Sequence, residues 1–154
     1  MMKLCSDVLN TLQGKTLVTA ESLTGGGIGA ALTAAPGSSA VYKGGIISYT
    51  NQVKHALLNV DTVLLERDGA VSASVTQAMA LGARNALSAD VAVSVTGLAG
   101  PGGDDYGNSV GTVYIGYSDC VRCISREYHF TGNRAEIRKK ACSEALMLIL
   151  TFNV

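Results

Sequence analysis

The sequence predicts an α/β fold: a three-layer α/β/α sandwich around a mixed sheet of about five strands, in a single domain. Three observations carry that reading. Short β-branched, apolar runs alternate with segments whose apolar residues recur at helical spacing, as in strands joined by helical crossovers. Late in the chain two strand-like runs follow one another with only a short turn between them, which adds an antiparallel hairpin. The length, 154 residues, suits one domain with its own core.

Leu4, Val8, Leu9 and Leu12 stand at helical spacing, and Gly14 suits the left-handed position past a helix end. Lys15 to Ala20 (KTLVTA) reads as a strand ending at Glu21-Ser22, and Ile28 to Ala35 as a tightly packed helix stopped before Pro36-Gly37. Ile46 to Thr50 reads as a second strand, with Asn51 able to cap a helix through Val53, Leu57 and Leu58. A short helix over Thr62 to Asp68 ends at Gly69, and Ser72 caps the longer pattern Val75, Met79, Ala83, Ala86, Leu87. Asp90 to Thr96 (DVAVSVT) is the third strand. A glycine-rich loop over Gly97 to Ser109 leads to the hairpin strands Val110 to Tyr117 and Val121 to Phe130. The last helix begins near Asn133 and buries Ile137, Ala141, Ala145, Leu148 and Ile149.

Composition narrows the functions. Twelve Lys and Arg balance twelve Asp and Glu, a formal net charge of zero, so no basic field exists to gather nucleic acid or anionic lipid. Hydrophobic residues are 47% and charged residues 16%, the reverse of a disordered composition. No apolar run reaches the roughly 18 residues of a membrane helix, and Met1 to Lys15 lacks a signal-peptide core; a soluble, cytoplasmic protein is expected. Four cysteines are too few for a disulfide scaffold, and Cys120-x-x-Cys123 lies on the hairpin, without the second pair of a zinc site or the helix start of a redox site. The two histidines, His55 and His129, have no metal-ligand spacing. No metal and no cofactor are expected.

The 18 glycines cluster at Gly25–Gly27, Gly44-Gly45 and Gly97–Gly103, where backbone must turn sharply or approach a ligand. Ala20-Glu21-Ser22-Leu23-Thr24-Gly25-Gly26-Gly27 puts a hydroxyl and sterically open amides at a helix start, where phosphate or a developing oxyanion is stabilised. It lacks the lysine of a P-loop and the G-x-G-x-x-G dinucleotide spacing, and the alternative is a tight turn in which Ser22 or Thr24 caps the helix. Tyr49, at a strand end, and Lys54, one helical turn on, form a second candidate; their alternative is a core tyrosine and a solvated lysine. The Gly97–Gly103 loop is a third, able to close over a substrate or to be a plain surface turn.

Taken together, A-E-S-x-T-G-G at Ala20–Gly26, Pro36-Gly37-Ser38-Ser39, Tyr49-x-Asn51-x-x-Lys54, Gly69-Ala70-Val71-Ser72, the run from Asp90 to Gly103 and Val110-Gly111-Thr112-Val113 strongly resemble the CinA C-terminal domain family. The likeness runs from about Leu4 to Leu150. It implies hydrolysis of the carboxamide of nicotinamide mononucleotide to nicotinate mononucleotide and ammonia, a step of pyridine nucleotide recycling. It also implies a catalytic Ser, Tyr and Lys, matched here by Ser22, Tyr49 and Lys54, and favours a homo-oligomer.

The chemistry agrees with the residue types. Amide hydrolysis needs a nucleophile, and with no suitable histidine a lysine kept neutral by desolvation can deprotonate serine, directly or through Tyr49. Thr24, Gly25, Gly26, Thr96, Gly97, Gly100 and Arg134 are the expected substrate contacts. One glycine loop would hold the oxyanion and the other the phosphate, with Arg134 available to pair with phosphate.

Three departures from the family pattern stand out. Leu23 stands where many relatives have cysteine, which leaves Ser22 the sounder nucleophile. Asn133 replaces a frequent Asp, and either caps a helix. Many relatives also carry an N-terminal domain that these 154 residues do not contain, so its activity is not expected of them. The partner expected is a small-molecule nucleotide, with neither nucleic acid nor membrane. A non-catalytic nucleotide-binding module, or an amidase for another small carboxamide, are the alternatives.

Overall fold

Leu17–Glu21, the β-branched run after the first helix, is a strand (β1) buried along its whole length, as an inner parallel strand covered on both faces must be. The computed structural model describes residues 1–153; Val154, the last residue of the expected domain, lies outside them. Around β1 are α1 (Met2–Thr11), α2 (Gly27–Thr33), β2 (Tyr42–Ile47), α3 (Asn51–Leu58), α4 (Thr62–Asp68), α5 (Ala73–Ala86), β3 (Val91–Gly97), β4 (Thr112–Ser118), β5 (Cys123–His129) and α6 (Arg134–Asn153). The sheet order is β2-β1-β3-β4-β5. β1 pairs in parallel with β2 and β3, and β3-β4-β5 run antiparallel. The predicted three-layer α/β/α architecture with five strands in a mixed sheet is the one observed.

The alternation of β1 assigns its side chains to two cores. Leu17 joins a core with α1, α2 and α6 residues such as Val8, Ile28 and Ile149, whereas Val18 and Ala20 join one with Leu58, Leu65, Val75 and Met79 from α3, α4 and α5. From β1 the chain passes by α2 to β2 on one side, then by α3, α4 and α5 to β3 on the other. The direction of winding therefore reverses, and the loops leaving the carboxyl ends of β1 and β2 lead to helices on opposite faces, α2 on one and α3 on the other. A crevice at that reversal is where open α/β sheets bind ligands.

Two local expectations are corrected. The second strand is Tyr42–Ile47, not Ile46 to Thr50. Gly44 and Gly45, which look like a break, lie within it opposite Val18 and Thr19, because the Thr19 side chain and the Tyr42 hydroxyl occupy the space a Cβ on Gly45 would need. The cap of α3 is Thr50, whose side chain accepts from Val53 N at 3.3 Å, not Asn51. Asn133 does cap α6: its Oδ1 accepts from Glu136 N at 3.0 Å while its own N–H donates to Glu136 Oε2 at 2.7 Å, a reciprocal capping box.

Candidate active site

The period of two that governs β1 sends Glu21 toward α2 and the next residue, Ser22, toward α3. Ser22 N–H still donates to Val95 O at 3.0 Å, so the serine extends the strand ladder and is held by it. Its side chain meets Lys54, on the first turns of α3. Lys54 Nζ lies 3.2 Å from Ser22 Oγ, 2.8 Å from Ser48 O and 3.4 Å from Tyr49 O.

Lys54 is 1% exposed and Ser22 7%, and none of the ion pairs among the described residues includes Lys54. Burial without a countercharge lowers the lysine pKa to about 8. The ammonium donates to all three acceptors, Ser22 Oγ, Ser48 O and Tyr49 O. Once the amine is neutral, two N–H bonds remain for the two carbonyls and the lone pair is left to accept the Ser22 hydroxyl proton.

Tyr49 is placed differently. It follows β2, is 61% exposed, and its hydroxyl accepts from Arg134 Nη2 at 3.4 Å; neither the core tyrosine nor the solvated lysine of the alternative reading is found. Arg134, the first residue of α6, also donates Nη1 to Gly100 O at 2.6 Å. It thus spans the mouth of a cleft of about 290 Å³ lined by Ser22, Leu23, Tyr49, Lys54, Thr96 and Arg134, with Gly97, Gly100 and Gly102 along one wall. Thr96 closes the floor, its hydroxyl donating to Ala70 O at 3.0 Å. A Cβ on Gly97 would stand 2.7 Å from Thr112 O, so β3 and β4 approach too closely there for any side chain. The N–H groups of Ala99, Gly100 and Gly102 have no acceptor among the described residues.

Three expected contacts lie outside this cleft. Glu21, 1% exposed, turns its carboxylate under the start of α2. It accepts from Thr24 Oγ1 at 2.7 Å, Gly26 N at 3.0 Å, Ile28 N at 3.0 Å, Gly29 N at 2.9 Å and Thr19 Oγ1 at 3.3 Å. The Gly25 and Gly27 amides donate to Ser22 O and Thr24 O. The expectation that the Gly25–Gly27 amides hold phosphate or oxyanion is therefore corrected, since the protein's own carboxylate fills that anion cradle. The Thr24 side chain, Gly25 and Gly26 shape the serine turn instead, with Gly25 and Gly26 at φ +58° and +95° in the left-handed region glycine favours.

Sequence reasoning missed Glu21, which it placed only at the end of the first strand, and Arg138 of α6, which donates Nε to Leu23 O at 2.9 Å and Nη2 to Thr24 O at 3.2 Å. The spacing Arg134-x-x-x-Arg138 puts both guanidinium groups on one helix face and was the available signal for the second.

The CinA C-terminal domain family model matches residues 2–152. A CinA-like protein of Parasynechococcus marenigrum is 52% identical over 133 residues, 85% of this chain and 32% of that protein. One from Thermosynechococcus vestitus is 48% identical over 138 residues, 88% of this chain and 33% of that protein; the chain thus spans about a third of the length of these relatives. Among solved structures, the competence/damage inducible protein CihA from Agrobacterium tumefaciens superposes with a TM-score of 0.95 at 36% identity, covering 99% of this chain and 95% of that one. A competence-damaged protein superfamily member from Escherichia coli gives 0.93 at 35% identity, covering 97% and 89%.

Proposed function

The chain belongs to the CinA C-terminal domain family, and from that premise we propose that it hydrolyses the carboxamide of nicotinamide mononucleotide to nicotinate mononucleotide and ammonia. The observation that carries the reading is the buried Lys54 Nζ, 3.2 Å from Ser22 Oγ with no acid beside it. Ser22 Oγ attacks the carboxamide carbon while Lys54 takes its proton. The C–N bond then breaks, Lys54 returns the proton to nitrogen, and ammonia leaves an ester on Ser22. Water loses a proton to Lys54 and attacks that ester; Ser22 departs with the proton and the carboxylate product is released. One water is consumed per amide. Lys54 needs no relay through Tyr49, whose hydroxyl, with Arg134, stands at the mouth to orient the nucleotide.

Because the Glu21 carboxylate fills the first glycine loop, the substrate phosphate falls to the second: the free amides of Ala99, Gly100 and Gly102, with Arg134. Thr96 and Gly97 flank the pyridine ring. A small-molecule nucleotide substrate, a cytoplasmic location and a homo-oligomer accompany this reading. No helix among the described residues is long and apolar enough to cross a membrane.

Incubation with nicotinamide mononucleotide and measurement of ammonia tests the proposal. Release that disappears in Ser22→Ala supports it. Binding without turnover indicates a nucleotide-binding module, and turnover of other carboxamides alone indicates a different amidase.

A further inference from the structure

A tally of the backbone groups that follow the nucleophile leaves a short remainder. From Ser22 to Gly29, Ser22 N–H bonds Val95 O, Gly25 N–H bonds Ser22 O and Gly27 N–H bonds Thr24 O, while Gly26, Ile28 and Gly29 donate to the Glu21 carboxylate. Only the N–H groups of Leu23 and Thr24 have no acceptor among the described residues, although Ser22 and Leu23 both line the cleft. Backbone donors next to a cleft are rarely left without a partner, so a ligand is the natural acceptor.

Their directions follow from the carbonyls. In a trans peptide the C=O and N–H point opposite ways. Ser22 C=O is turned inward to Gly25 N, so Leu23 N–H is turned out of the turn. Leu23 C=O is held by Arg138 Nε at 2.9 Å, so Thr24 N–H points away from α6. Arg138 Nη2 also holds Thr24 C=O at 3.2 Å, which fixes the peptide whose Gly25 N–H secures Ser22 C=O. One planar guanidinium thereby sets three successive peptides, two by direct bonds and one through Gly25; an ammonium, a single nitrogen without the rigid fork, would hold these carbonyls less firmly in direction.

We propose, on the reading of Ser22 as the nucleophile, that the Leu23 and Thr24 N–H groups form the oxyanion hole and that Arg138 is the positioning residue that aims them. The donors serve the transition state, in which the carbonyl oxygen of the substrate becomes negative, more than the bound amide. Loss of Arg138 should therefore act on kcat and leave KM nearly alone. Arg138 touches neither substrate nor Lys54, so the midpoint of the pH profile set by Lys54 should not move.

The test uses 4-nitrophenyl acetate, whose acetyl group passes to Ser22 through the same kind of oxyanion as 4-nitrophenolate leaves. It is run on wild type, Ser22→Ala, Arg138→Ala and Arg138→Lys. The expected result is acylation slowed about 10–100-fold in Arg138→Ala and less in Arg138→Lys, with partial recovery of Arg138→Ala on adding guanidinium and affinity for nicotinate mononucleotide kept within about twofold. Wild-type acylation rates in Arg138→Ala overturn the inference and leave the nucleophile reading standing. A slowing accompanied by equal loss of product affinity, with no recovery in guanidinium, also overturns it, because the residue is then merely structural. Wild type no faster than Ser22→Ala removes the nucleophile reading, and this inference with it.

Discussion

Raising the pH should switch the site on along a limb set by Lys54. Its pKa of about 8, against 10.5 for an ordinary lysine, leaves roughly one-tenth of the side chain neutral at pH 7, compared with about 1 in 3000 for a solvated lysine. Burial thus raises the supply of base about 300-fold near neutrality. Between pH 7 and pH 9 the neutral fraction rises about tenfold, and kcat/KM for ammonia release should follow it before levelling. Lys54→Arg keeps its proton at any usable pH and should lose on the order of 10²–10⁴ in rate. Lys54→Ala should be as slow but partly rescued by small amines. Binding of nicotinate mononucleotide to each variant reports whether the fold survives. A limb centred near pH 10, or a Lys54→Arg protein within tenfold of wild type, would refute the assignment and make Lys54 a charge that positions substrate.

The same desolvation has a sign for stability. The unfolded chain holds the Lys54 proton more tightly than the folded one, so wild type should gain stability relative to Lys54→Met as pH rises from about 8 to above 10. The gain approaches about 3 kcal/mol, and urea melts across that range measure it; a flat difference counts against the buried neutral amine. Ser22→Ala should keep its fold and nucleotide affinity while turnover falls by more than about 10³, as ammonia release and product titration will show. Glu21→Gln leaves amide donors of α2 facing an amide nitrogen, and should cost about 2–4 kcal/mol, seen as a thermal midpoint lowered by roughly 5–15 °C. Incubation with EDTA should leave ammonia release unchanged; loss that a divalent ion restores would show a metal requirement the Ser22–Lys54 pair does not explain.

The parts of the fold legible in the sequence were those with local causes. Ser72 caps α5 through Val75 N at 3.4 Å, Gly69 ends α4, and the β4-β5 hairpin pairs Ser118 with Cys123, all near the expected places because capping and turn chemistry act within a few residues. The start of β2 was not legible, because Gly45 serves a close approach of Tyr42 and Thr19 that exists only once β1 and β2 are paired, and Gly44 beside it takes a positive φ. In the site, Ser22 and Lys54 were named from types and spacing, but their burial depends on how α3 folds back over β1. Exposure of Tyr49 has the same tertiary origin. The capture of the Gly26, Ile28 and Gly29 amides by Glu21 was hidden because an acid in a strand looks solvated until the strand's alternation is known. A helix N-terminus already holding an internal anion is not a ligand site, and only the structure could say that it was filled.

The most direct measurement of the central claim is a single-turnover reaction of nicotinamide mononucleotide with excess protein, quenched in acid within milliseconds to seconds and mapped by peptide mass. The account predicts a nicotinoyl-nucleotide ester on the peptide bearing Ser22, formed as ammonia is released and lost as nicotinate mononucleotide accumulates, and no such adduct in Ser22→Ala. Ammonia release at an undiminished rate in Ser22→Ala, with no ester at any quench time in wild type, would contradict it: water would then attack the amide directly and Ser22 would not be the nucleophile.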